Sequence, residues 1–325
     1  MAILWFCVKL FAMMGLLWQF AADGWAQRYP EKVVRLIVPF SPGSGNDTIG
    51  RVFAAGLGEV FGQQVIVDNR AGAGGNLGAG IAAKAAPDGY TVLLINSGHA
   101  ANVTLYNNLQ YDLLRDFAAV TQLTAATAVV VVHPSLPVKS IAELVKLAKA
   151  KPGAITYASG GIGTPTFIAG ELFKRHTGVD MLHVPYRSGG EAITASIAGE
   201  TSVYLSPISS ALPYIKQGRL RALAVTSAKR LTVFPDYPTV AESGYPNYVA
   251  QSWQGLVAPA KTPPETITAL YNAAHSVLND PKINKRLNDM GYEIVADRPK
   301  EFAAYIKSQI ETVGNILRAN RVGGN

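Results

Sequence analysis

The chain predicts an α/β protein of two domains, each built on a mostly parallel sheet. Three observations carry that prediction. Short apolar runs alternate with segments of helical period along most of the sequence, the pattern of parallel strands covered by helices. The alternation restarts after Val129–Val132, and one glycine-rich device occurs once on each side of the restart. The length of 325 residues suits two domains of roughly 100–200 residues each.

Val33 to Pro39 is an apolar run ended by Phe40-Ser41-Pro42, the form of a buried strand. Asp47 to Phe61 places apolar residues at helical spacing, Gln64 to Asp68 alternates as a strand does, and Ala79 to Ala86 is helical again. Tyr90 to Ile95 is a continuous buried-strand run, and Ser97 to Asn102 follows it. After the restart come helix 141–150, strand 155–158, helix 166–177, strand 181–185 and helix 191–198. Strand 201–205, helix 209–217 and strand 220–226 complete this set. Proline-rich loops at Phe234–Pro238 and Ser243–Pro246 precede a strand from Ser252 to Pro259, helices 264–278 and 282–290, a strand 292–295 and a long helix 299–320. The last part therefore returns to complete the first domain, giving residues 27–125 plus 249–325 for one domain and 126–248 for the other. Two chain crossings make a hinge.

Composition narrows the class. Apolar residues make up 49% and charged residues 16%, below the roughly 25% charge of average soluble chains, so the signature of disorder is absent. Residues Ala2 to Ala22 are apolar around the single charge of Lys9 and end at Asp23-Gly24-Trp25-Ala26, which predicts a secretory signal peptide over residues 1–26, cut after Ala26. A membrane anchor is the alternative reading of that run. Its Cys7 is the one cysteine of the chain, so the mature protein would lack thiol catalysis, disulfides and cysteine metal sites. The net charge of +7 suits an anionic partner. Lys146, Lys149 and Lys151 sit beside Glu143 on and just past one helix as a solvated face, which points away from nucleic acid and leaves a small anion.

The repeated device supplies a place for that anion. Ser41-Pro42-Gly43-Ser44-Gly45-Asn46-Asp47 follows the first strand, and Ser159-Gly160-Gly161-Ile162-Gly163-Thr164 follows a strand of the second half. Each leads into a helix, a strand and an arginine turn; Ser41 to Arg70 spans 29 positions and Ser159 to Arg187 spans 28. A glycine-rich turn at a helix N-terminus presents unpaired N–H groups and the positive end of the helix dipole. Asn46 or Asp47 is expected to cap the first helix, and Thr164 followed by Pro165 the other. Ligands of open α/β sheets bind at the carboxyl ends of strands, so two such domains would enclose one anion between two cradles.

Enzyme signatures are absent: no G-x-S-x-G elbow, phosphate-binding loop or H-E-x-x-H occurs. Gly72 to Gly78 imitates a dinucleotide fingerprint, but Leu77 stands where the third glycine belongs. None of the five histidines has a partner at metal-ligand spacing, and His99 beside the first cradle reads as a neutral hydrogen-bonding group.

Val38-Pro39-Phe40-Ser41-Pro42-Gly43, Val67 to Gly75 and Pro87-Asp88-Gly89-Tyr90-Thr91 resemble first-domain motifs of the Bug-type periplasmic receptors, the substrate-binding subunits of tripartite tricarboxylate transporters. Tyr157 to Gly160, His183-Val184-Pro185-Tyr186, Leu220 to Ser227 and Pro238 to Glu242 resemble that family's second-domain motifs. The resemblance runs nearly end to end over the mature chain. It implies a two-domain Venus flytrap, a monomer without cofactor or metal. Such a receptor binds a small carboxylate without converting it and delivers it to membrane permease subunits from the periplasm. Carried over, the ligand-binding candidates are Ser41, Gly43, Ser44, Gly45, Asn46, Asp47, Ser97, His99, Asn102, Ser159, Gly160, Gly163, Thr164, Arg187 and Ser206. Two departures stand out. Ser44-Gly45-Asn46-Asp47 replaces the family's frequent Gly-Gly-Thr-Asp, and Leu205-Ser206-Pro207 lacks a frequent aspartate, which points away from an amino-acid ligand. Two alternatives stay open: a hydrolase using Ser97 or Ser159 with His99 and Asp47, and a receptor domain serving a membrane sensor. Trp253, the only tryptophan after the expected cut, is placed near the hinge.

Overall fold

The first lobe grows from β1 (Val34–Val38), whose side chains alternate between two layers. Leu36 and Val38 pack with Ile49, Phe53 and Leu57, while Ile37 packs on the opposite face with Trp253 and Phe302. In the computed structural model, which describes residues 29–42, 44–186, 189–232 and 234–321, β1 lies between β2 (Val65–Asn69) and β3 (Thr91–Asn96), parallel to both. The expected signal segment, with its cut after Ala26, lies outside the described residues, as do the candidates Gly43 and Arg187. Helix α1 (Gly45–Phe61) covers one face, and α2 (Asn76–Ala83) covers the other through Ala79 and Ala82. The N-cap of α1 is Ser44, whose hydroxyl accepts from the Asp47 amide, so the helix begins before the caps expected at Asn46 or Asp47.

The second lobe repeats this order. Strand β5 (Thr156–Ser159) lies between β6 (Leu182–Pro185) and β7 (Val203–Pro207), again parallel to both. Helices α4 (Ile141–Ala150) and α5 (Pro165–Thr177) pack on one face through Leu144, Phe167 and Phe173. Helices α6 (Gly189–Ala198) and α7 (Ile208–Lys216) pack on the other through Ala192, Ile193 and Ile208.

Strand β4 (Phe117–Val132) belongs to both sheets. Its residues 117–127 run antiparallel to β9 (Gln251–Pro259), and residues 128–132 run antiparallel to β7. Along the β9 edge β4 is continued by β8 (Arg221–Val225) in the second lobe, and on the β7 edge it pairs with β10 (Tyr292–Ile294) in the first, both antiparallel. Parallel pairing is thus confined to three strands per lobe, and each sheet is mixed. The cause is the chain path: a strand that crosses between the sheets and one that returns must run in opposite directions.

Two further elements differ from the sequence reading. The segment Phe117 to Thr127, rich in Ala, Thr and Gln, shows no strand pattern, yet pairing with β9 and β10 on both edges holds it as strand. Ser97 to Asn102, to which the sequence reading assigned no element, opens helix α3 (Ser97–Leu105), whose start is set by a capping box between Asn96 and His99.

After α8 (Pro264–Asn279) and α9 (Pro281–Asp289), the chain ends in α10 (Pro299–Ala319), which ties the lobes together. Its Phe302 and Ile306 sit in the first-lobe core beside Trp253, whereas Val313, Ile316 and Leu317 join the second-lobe core with α3's Ala101. Beside it lies the crossing point. The Thr226 hydroxyl accepts from the Ala128 amide (2.9 Å) and donates to the Ala250 carbonyl (2.6 Å), so one buried side chain joins the outgoing strand to the returning one.

Candidate functional site

Four helices begin directly at or just after the carboxyl ends of central strands: α1 after β1, α3 after β3, α5 after β5 and α7 after β7. Short contacts bring their N-termini together. Asn96, the N-cap of α3, donates to Asn46 in the first turn of α1 (3.3 Å). Gly163, just before α5, lines one cavity with Ser97 at the start of α3, and a Cβ on it would stand 2.6 Å from Leu105 at that helix's far end. On the far side, a Cβ on Gly45 would meet the Tyr292 hydroxyl at 3.2 Å, and one on Gly291 would meet the Ser209 amide of α7 at 3.7 Å. Two N-termini from each lobe therefore converge on the cleft between the sheets.

The amides there are free to bind. In α1 the Asp47 amide is used by Ser44 and the Thr48 amide by the Ser44 carbonyl, which leaves Gly45 and Asn46 without a partner among the described residues. In the second loop Gly160 donates to Thr166 (3.0 Å), Gly161 to Ser159 (3.0 Å) and the Thr164 amide to the Gly161 carbonyl. Ile162, Gly163 and Thr166 keep unpartnered N–H groups among the described residues. Gly163, at φ 80°, supplies the left-handed conformation that the turn requires. The dipoles of the 17-residue α1 and the 13-residue α5 add positive potential at the same place.

Several nominated side chains serve the cradles instead of projecting charge into them. Ser159 is fully buried, and its hydroxyl lies 2.7 Å from His183 Nε2 while accepting the Gly161 amide, so it sets the shape of the loop. His183 is stacked on Tyr157 at 4.8 Å and packed on Phe167, and burial lowers its pKa. Thr164 caps α5 and donates to the Gly161 carbonyl (2.6 Å). The buried Asp47 carboxylate accepts from Asn69 (2.9 Å) and Arg51 (3.0 Å), and Asn69 in turn holds the Phe40 carbonyl. Asn102 donates to the Gly74 carbonyl and to Asn76, bracing the turn before α2. Ser206 is fully buried at the end of β7, and Ser41 is exposed, its carbonyl accepting the Ser44 amide.

His99 is fully buried; its Nδ1 accepts the Asn96 amide and its ring meets Phe40 edge-on. Burial lowers its pKa to about 4 from the ordinary 6.5. The folded protein thus refuses a proton that the unfolded chain accepts, so the stability tied to neutral His99 is complete above pH 6.5 and is lost as pH falls toward 4. Its slope reaches at most about 1.4 kcal/mol per pH unit. A His99→Gln variant is expected to flatten the melting temperature against pH over that window; an unchanged slope would remove His99 from the acid response.

No chain of nucleophile, base and orienting acid runs through the hydrolase candidates. Ser159 pairs with His183, Nδ1 of His99 is used by Asn96, and Asp47 is engaged by Asn69 and Arg51. Among the described residues no cluster of His, Cys, Asp or Glu fits a metal, and no helix is long and apolar enough to cross a membrane.

A cavity of about 280 Å³ opens beside Ser97, Gly163 and Thr166 and is floored by the crossing strands at 126–128 and 249–252. Sequence reasoning missed the helix start at Ser97, Thr166 in the lining and Thr226 at the crossing beside the cavity. The duplication held the signal for the first, because Asn96-Ser97 and Ser206-Pro207 occupy matching strand ends. Trp253 lies opposite Ala125 on β4, close to the crossing as expected, but it is fully buried behind Phe302 and Tyr305.

Residues 49–322 match the family described as the tripartite tricarboxylate transporter family receptor. The protein BugT of Bordetella pertussis is 34% identical over 300 residues, covering 92% of each chain. Among solved structures, R. palustris Rpa4515 with adipate is 31% identical with a TM-score of 0.76, covering 91% of this chain and 99% of that one. MatC from Rhodopseudomonas palustris with bound malate is 29% identical with a TM-score of 0.72, covering 89% and 100%. The fold is that of two-lobed periplasmic binding proteins. The chain belongs to the tripartite tricarboxylate transporter receptor family, among its Bug-type members.

Proposed function

We propose that this protein captures a small carboxylate between its lobes, returns it chemically unchanged, and passes it to the membrane permease of a tripartite transporter. The observation that carries the reading is the set of unpartnered amides at Gly45 and Asn46 on one lobe and at Ile162, Gly163 and Thr166 on the other. Such amides suit an anion with several acceptor oxygens and need no cationic side chain. The bound adipate and malate of the two relatives support a carboxylate as that anion. The lobes, taken as 27–125 plus 249–325 and 126–248, close about Thr226, and the mature protein acts in the periplasm as a monomer after removal of residues 1–26. Intact mass of the exported protein is expected to begin at Gln27.

A ligand that binds only the folded protein stabilises it by RT ln(1 + [L]/Kd), about 2.7 kcal/mol at a hundredfold excess over Kd. In a thermal-shift screen of mono-, di- and tricarboxylates, at least one acid is expected to raise the melting temperature, and chromatography is expected to recover it intact. No shift with any acid would overturn the receptor reading, and a converted acid would restore the hydrolase alternative.

A further inference from the structure

The cavity beside the second cradle does more than admit a carboxylate. From Ser97, Gly163 and Thr166 it runs between α5 and α10, away from the amides of the first cradle, which do not line it. Among the described residues no Asp, Glu, Lys, Arg or His lines this space. Ile168 and Leu172 of α5 and Val313 of α10 form its apolar walls. Tyr305, Gln309 and Thr312 follow one another at intervals of four and three residues, which aligns them on one face of α10 toward the same cavity. Their side-chain polar atoms have no hydrogen-bond partner among the described residues.

We propose that the carboxylate taken by this receptor carries a mainly apolar, ring-sized body with one uncharged polar substituent, and that this body lies between α5 and α10. The assignment rests on the carboxylate reading of the amide cradles. Size fits, since an apolar cavity of about 150 Å³ holds a benzene ring and this one measures about 280 Å³. Charge decides the class. A second carboxylate or an ammonium placed here would be desolvated without an ionic partner, whereas a hydroxyl or carbonyl would find Tyr305, Gln309 or Thr312. α10 joins both lobe cores and α5 belongs to the second lobe, so closure and ligand shape are read at the same seam.

Calorimetric titration with 4-hydroxybenzoate, benzoate, malate and adipate tests this on the wild type and on Gln309→Trp, which fills the cavity from a half-buried helix position. Thr312→Trp, from an exposed position, repeats the test should the first variant fail to fold. Wild-type protein is expected to bind 4-hydroxybenzoate at least tenfold more tightly than malate, and the filled cavity to weaken the aromatic acids at least tenfold while leaving malate unchanged. Tightest binding of malate or adipate, or aromatic binding indifferent to both tryptophans, would overturn the assignment while leaving the carboxylate reading in place. Failure of every acid to bind would overturn the carboxylate reading itself.

Discussion

Gly163→Val is expected to abolish the ligand-induced rise in melting temperature, with a loss of affinity of at least a hundredfold, about 2.8 kcal/mol. Two effects act together. The residue holds φ at 80°, a conformation that costs a β-branched side chain on the order of 1–3 kcal/mol. Its new Cβ would also stand 2.6 Å from a Leu105 methyl across the cleft, so Leu105 or the loop that carries the Gly163 and Thr166 amides must shift. Gly62→Val is the control: at φ 63°, with nothing within 4 Å of the added carbon, it carries similar strain at the far end of α1. Both variants are expected to melt earlier, and only the Gly163 variant to lose binding. Equal binding by the two would separate the second loop from ligand recognition.

Thr226→Val is expected to lower stability by about 2–4 kcal/mol, because it leaves a buried amide and a buried carbonyl without the hydroxyl that joins them, at about 1–3 kcal/mol each. At roughly 2–4 °C per kcal/mol for a protein of this size class, the melting temperature should fall by about 5–10 °C. The shape of the side chain is conserved, so packing is not the cause. Thr226→Ser keeps the bonds to Ala128 and Ala250 and is expected to melt close to wild type. Valine and serine variants melting alike would show that the hydroxyl does not hold the crossing.

What the sequence revealed follows from which forces are local. Helix α4 was legible to the residue because Ser140 caps it and its apolar face repeats at helical period. Strand β4 was not, since the run of Ala, Thr and Gln before Thr127 takes its conformation from β9 and β10, more than a hundred positions away. Strand direction was equally hidden, because it depends on which sheet the chain visits next. In the site, glycine spacing announced both cradles, for a turn's backbone demands are written in its own residues. The work of the side chains was not announced. Ser159 faces a histidine 24 residues onward, and Asp47 turns to Asn69, 22 residues onward. Thr226 took on its joining role only when two distant strands met across it.

The central claim is that amides from both lobes hold one carboxylate, and amide NMR of nitrogen-labelled protein reads it directly. The ligand for this titration is the acid giving the largest thermal shift. The account predicts that the Gly45, Asn46 and Gly163 amide protons move downfield together, along one binding curve that saturates at a single equivalent. The remote Gly62 and Gly218 amides, in turns on which an added Cβ would meet nothing within 4 Å, are expected to stay in place. Shifts confined to one lobe, or two curves with different midpoints, would contradict a shared carboxylate between the cradles.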